Sequence, residues 1–118
     1  MLPEFRGMLE ARAITYAQPS VTKVGGITQM RRVMALADAF GITVVPHSAY
    51  FGTGLIASIH CIAALSGDSL VERYDADFAA NPMHEAILPN KNGCLSVPQG
   101  PGLGVDPDPA VIAKLRVG

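Results

Sequence analysis

A chain of 118 residues has the size of one small domain, and 49% apolar against 16% charged residues is a core-forming composition that argues against disorder. Nine basic and ten acidic residues leave a formal charge of −1, without the basic footprint of a nucleic-acid or membrane-surface binder. The longest apolar stretch, 55–65, is broken by Ser58 and His60 and falls far short of the roughly 20 residues that cross a bilayer.

The opening Met1-Leu2-Pro3-Glu4-Phe5-Arg6 has neither the basic-then-apolar order of a secretory signal nor a small-residue cleavage site, so a cytoplasmic location is expected. Cys61 and Cys94 show no metal-ligand spacing and no disulfide framework, and are expected as free thiols.

In chain order, residues 3–12 predict a short helix, and 14–18 a strand stopped by Pro19. Gly25-Gly26 breaks the chain before Thr28, a candidate N-cap. Met30, Val33, Met34, Ala37 and Phe40 then recur at helical spacing until Gly41 closes the helix. The β-branched run 42–45 predicts a buried strand ending at Pro46-His47. A loop over 48–54 leads to a small-residue helix at 55–65, and Gly67-Asp68 separates that helix from a third strand at 70–73. From Tyr74 onward prolines 82, 89, 98, 101, 107 and 109 predict an irregular tail, with one last helical turn over 110–115.

The order β-α-β-α-β with short connections implies an α/β fold with parallel strands and right-handed crossovers, in a Rossmann-like sheet or a segment of an eight-fold barrel. Three parallel strands cannot close a barrel, for which about 250 residues are typical. Either another chain completes the sheet or this sequence is a piece.

Sites in such folds gather at the C-terminal ends of the strands. Residues 20–23, His47 and Glu72 stand there. His47 follows an apolar strand and precedes a Gly- and Ser-bearing loop, a placement suited to moving a proton near neutral pH or, equally, to a structural loop histidine. Glu72 lies in a segment expected to be buried on both faces, so it needs a functional reason or an ion pair with Arg73 or Lys23. Lys23 can bind a carboxylate or be a solvated loop residue. Gly25-Gly26 before a helix can present N–H groups to an anion, but neither a Walker loop nor G-x-G-x-x-G is present. The glycines of 100–104 read as a turn that carries the tail across the sheet end. His60, inside an apolar helix, reads as a core or interface residue, and His84 carries no signal. The G-x-S-x-G elbow and metal-binding clusters are both absent from the sequence.

Four motifs in register, Gln18-Pro19-Ser20-Val21-Thr22-Lys23-Val24-Gly25-Gly26-Ile27-Thr28, Val45-Pro46-His47-Ser48, Val71-Glu72-Arg73 and Pro98-Gln99-Gly100-Pro101-Gly102-Leu103-Gly104-Val105, closely resemble the mandelate racemase/muconate-lactonizing group of the enolase superfamily. The resemblance implies a partial (β/α)8 TIM-type barrel, with the three strands as its sixth to eighth. Residues 1–118 would then be the C-terminal fragment of the barrel domain, lacking the capping domain and earlier strands.

It also implies a Mg²⁺-dependent enzyme that abstracts the proton alpha to a carboxylate, a sugar-acid dehydratase or hydroxy-acid racemase with a small-molecule acid as substrate. In that pattern His47 is the catalytic base or acid, and Glu72 contacts the substrate carboxylate or its enediolate. Ser20 and Lys23 line the adjoining wall. An aspartate ending the sixth strand normally holds the histidine, and the matching position, 27 residues before His47, is Ser20. A serine can bond the ring but brings no negative charge to an imidazolium, which favours dehydration over racemisation between two matched bases.

The metal ligands and lysine bases of the family come from strands this sequence does not contain, so the chain alone is expected to have little or no activity. A homo-oligomer is expected. Two rival readings stand beside this one: a truncated, non-catalytic protein that self-associates through open sheet edges, and a small α/β module that binds an anion at Gly25-Gly26.

Overall fold

A computed structural model describes residues 2–48, 51–65, 69–74 and 81–117, except for the side chain of His84. The elements are α1 (Leu2–Glu10), β1 (Tyr16–Ala17), α2 (Ile27–Ala39), β2 (Thr43–Val44), α3 (Thr53–Ala63), a 3-10 turn (His84–Ile87) and α4 (Pro109–Leu115). Gly67 and Asp68, expected to divide α3 from a third strand, lie outside the described residues.

α2 buries Met30, Val33, Met34 and Ala37, the stripe that its spacing dictates. Phe40 leaves that stripe at the C-cap and is 43% exposed. Gly41 closes the helix at φ 66, with its N–H on Asp38 O (2.9 Å) and that of Ile42 on Ala37 O (2.9 Å), a paired terminus that favours the left-handed residue glycine. The N-cap is Gly26 rather than Thr28, because the Gly26 carbonyl already accepts the first helical bond from Met30 N at 3.0 Å.

α1 stops at Glu10, short of the expected residue 12. Arg12 takes the left-handed position at φ 52 while Ala13 N bonds Met8 O and Arg12 N bonds Leu9 O, both at 3.0 Å. α4 starts where expected, with Pro109 in its first turn and the Asp108 carboxylate accepting from Ala110 N at 2.8 Å.

β1 and β2 pair in parallel, Tyr16 opposite Thr43 and Ala17 opposite Val44. Ala17 and Val44 face the helices and are buried with Val21, Val24, Met30, Met34, Ala37 and, from α3, Ala57, Cys61 and Ile62. Tyr16 and Thr43 point the other way and are exposed, so the strands are covered on one face, and the run 42–45, expected to be buried, is only half so. Further β1–β2 bonds run from Val45 N to Ala17 O (2.9 Å) and His47 N to Pro19 O (3.1 Å). The ladder ends early because Pro19, opposite Pro46 in this register, has no N–H to give the Val45 carbonyl.

The expected third strand is corrected. Residues 69–74 run beside β2, yet one backbone rung joins them, Glu72 N to Pro46 O at 3.2 Å. In a parallel ladder the flanking rungs would come from the N–H groups of residues 46 and 48. Pro46 has none, and the N–H of Ser48 goes to the side-chain carboxylate of Glu72 at 3.3 Å. Leu70 is 65% exposed, so this segment is not buried on both faces. Among the described residues the sheet is therefore two parallel strands, with a third segment joined to β2 by one backbone bond.

A second apolar cluster lies on the other side of α3: Leu55, Ile56 and Ile59 with Met83 and Ile87, flanked by Phe51, Val71, Leu95, Val97 and Val105. Leu103 packs on both clusters. Its carbonyl lies 3.0 Å from His60 Nε2, and because a carbonyl only accepts, that nitrogen carries the ring proton. His60 thus ties α3 to the tail at Leu103. Gly104 lies so close to Pro98 that a Cβ would stand 2.6 Å from its carbonyl carbon and oxygen, which fixes glycine there.

Candidate active site

The short ladder carries Pro46 and His47 alongside Pro19 and Ser20, and the single rung to Glu72 brings the third segment to the same C-terminal end. His47 Nδ1 hydrogen-bonds Glu72 Oε2 directly. The side chains are 36% and 43% exposed, so the pair faces open space at the strand ends. Oε2 also accepts the N–H of Ser48, so one carboxylate oxygen holds the ring of one residue and the backbone of the next. Pro46 and Ser48, on either side of His47, are fully buried. The Ser48 hydroxyl is buried without a hydrogen-bond partner among the described residues.

An edge-to-face pair of Phe51 and Tyr74, with centroids 5.7 Å apart, ties the loop after His47 to the segment after Glu72. Asn81 reaches back to Phe51 O at 2.7 Å and takes the N–H of Met83 at 3.0 Å, joining that loop to the tail.

Glu72 does not pair with Arg73 or Lys23. The Arg73 guanidinium turns to the carbonyls of Ile87 (3.0 Å) and Tyr74 (3.3 Å), and the exposed Lys23 forms no ion pair among the described residues. Ser20 is 5% exposed in the turn after β1, its hydroxyl 3.1 Å from Thr22 Oγ1 and its carbonyl accepting from Lys23 N and Val24 N. The ring of His47 bonds Glu72 and not Ser20. Gly25 and Gly26 stand at the start of α2, beyond that turn.

The contact of Glu72 with the Ser48 amide was not readable from the sequence, since it depends on the register that Pro46 O and Glu72 N set. Cys61 is buried in α3, where burial pushes its thiol pKa up and Arg31 acts weakly in the other direction, while Cys94 is exposed; both are free. No cluster of three or more potential metal-ligating His, Cys, Asp or Glu side chains occurs among the described residues, so these residues do not fit a Mg²⁺ site by themselves. No helix among them is long and apolar enough to cross a membrane.

Residues 2–111 match the family described as enolase C-terminal domain-like. Over 118 aligned residues the chain is 28% identical to D-galactarolactone cycloisomerase of Agrobacterium fabrum, a match covering 92% of this chain and 31% of that protein. It is 29% identical to D-galactonate dehydratase of Ralstonia pickettii, covering 94% and 31%. The crystal structure of a provisionally assigned racemase from Roseobacter denitrificans superposes with a TM-score of 0.77 at 27% identity, over 97% of this chain and 33% of that one. The sheet, its covering helices and the match along nearly the whole chain place it in one class: it belongs to the enolase C-terminal domain-like family. It spans about a third of the length of these relatives.

Proposed function

We propose that this chain is the C-terminal barrel portion of a mandelate racemase-like enzyme that removes the proton alpha to a carboxylate of a sugar acid or hydroxy acid, with dehydration favoured over racemisation. The observation that carries the reading is the His47 ring, held through Nδ1 by Glu72 at the C-terminal end of the parallel strands, with no partner on Nε2 among the described residues. Nε2 is the nitrogen that exchanges a proton with substrate. In dehydration the Nε2 lone pair takes the α proton, the C–H electrons form the new double bond as the β C–O bond breaks, and the proton passes from Nε2 to the departing hydroxyl, which leaves as water. The free oxygen of Glu72, which as a carboxylate only accepts, takes a hydroxyl of the substrate acid, and Ser20 and Lys23 form the adjoining wall.

The similarity to a sugar-acid cycloisomerase and a sugar-acid dehydratase supports the substrate class. Mg²⁺ dependence and the metal ligands belong to earlier strands in this reading, as does an oligomeric holoenzyme. The test is a chimera in which this chain replaces the matching third of the Ralstonia dehydratase, loaded with Mg²⁺ and assayed for α-deuterium exchange and dehydration. His47→Asn is expected to lower turnover by about 10²- to 10⁴-fold. An active chimera indifferent to His47 would overturn the assignment.

The exposed face of β1 and β2, with Tyr16 57% exposed, favours a second reading: a non-catalytic chain that self-associates through its open sheet. A stable dimer of the isolated chain that binds no Mg²⁺ would support it.

A further inference from the structure

A neutral imidazole has one N–H and one lone pair, and the neighbour of Nδ1 decides which nitrogen carries which. In the family pattern that neighbour is an acid ending the preceding strand, but this chain has Ser20 there, engaged with Thr22. Nδ1 of His47 meets Glu72 Oε2 instead. The same oxygen accepts the Ser48 N–H at 3.3 Å, on a backbone fixed by the buried Pro46 and Ser48.

We propose that Glu72 is the positioning carboxylate of His47, supplying from the third segment the charge and orientation that position 20 has lost. A carboxylate only accepts, so it holds the ring proton on Nδ1 and leaves the lone pair on Nε2. Once Nε2 has taken a proton, the adjacent negative charge compensates the imidazolium. The divided carboxylate then has two tasks, Oε2 for the ring and Oε1 for the substrate. Serine at position 20 no longer implies a histidine without a charged partner. The inference rests on His47 as the proton-transferring group, and its test reads the ring rather than turnover.

The 118-residue chain, labelled at histidine nitrogen, is examined by long-range proton–nitrogen correlation at mildly alkaline pH, with His47→Asn assigning the signal. The Nδ1–H form is expected to exceed the Nε2–H form by about tenfold. The nearly isosteric Glu72→Gln, and Glu72→Ala, are each expected to cut that excess about fivefold or more, while Ser20→Ala leaves it unchanged. A purely structural Glu72 would change stability and not the tautomer, so Glu72→Gln spectra that keep their amide dispersion isolate the effect. A wild-type ring in the Nε2–H form, or a ratio that ignores both Glu72 variants, overturns the proposal. So does a ratio that follows Ser20 instead. An inactive chimera together with the expected tautomer would remove the functional reading and leave the pairing intact.

Discussion

Residues 2–65 and residues 69–117 draw on similar apolar residues yet reach different degrees of order. In the first region the C-terminal end of each helix is closed by backbone bonds, and β1, α2, β2 and α3 enclose one buried cluster. In the second, a β-branched and apolar segment beside β2 keeps one rung, and the tail is held by side chains that are mostly half-buried. Apolar pattern tells which residues seek a sheet, but the neighbour's free N–H groups decide whether a ladder forms. Prolines at 19 and 46 remove those donors on both sides of β2.

The sharpest way to break the comparison is to hollow each region. Met30→Ala, at a fully buried site, should cost about 3 kcal/mol in urea unfolding, whereas Leu95→Ala in the half-buried tail should cost less than about 1 kcal/mol. Equal losses would mean that the tail is as much core as the helices.

Pro46→Val narrows the difference by giving position 46 an N–H opposite the carbonyl of residue 70. The Glu72 amide should then exchange with solvent about threefold more slowly, the worth of one added rung less the proline's entropic advantage.

The smallest effect is one of pH. Burial raises the Cys61 thiol in the folded chain, so the native state keeps its proton to higher pH than the unfolded one. The associated stability is complete below the ordinary thiol pKa and lost as pH rises through the raised value. Cys61→Ala should flatten that alkaline decline in thermal melts.

Much of the first region was legible because helical spacing and a closing glycine are local signals. Met30, Val33, Met34, Ala37 and Gly41 all stand where the pattern puts them. The end of α1 was not, because arginine occupies a left-handed position that sequence rules reserve for glycine. α3 begins and ends two residues before its expected bounds, since a run of small apolar residues marks no cap. The third strand was misread for a non-local reason: its pairing depends on what Pro46 and Ser48 offer across a gap of two dozen residues. His47 and Glu72 could each be placed at a strand end from sequence. That their side chains meet follows from a register that no single segment encodes, whereas the turn of Ser20 to Thr22 is a local geometry that residue type alone does not fix.

Leu103 touches both apolar clusters while its carbonyl lies on His60. The glycine-rich stretch around it therefore works as a clasp: Leu103 bridges the two clusters across α3 and cannot leave its seat without uncovering apolar surface on both.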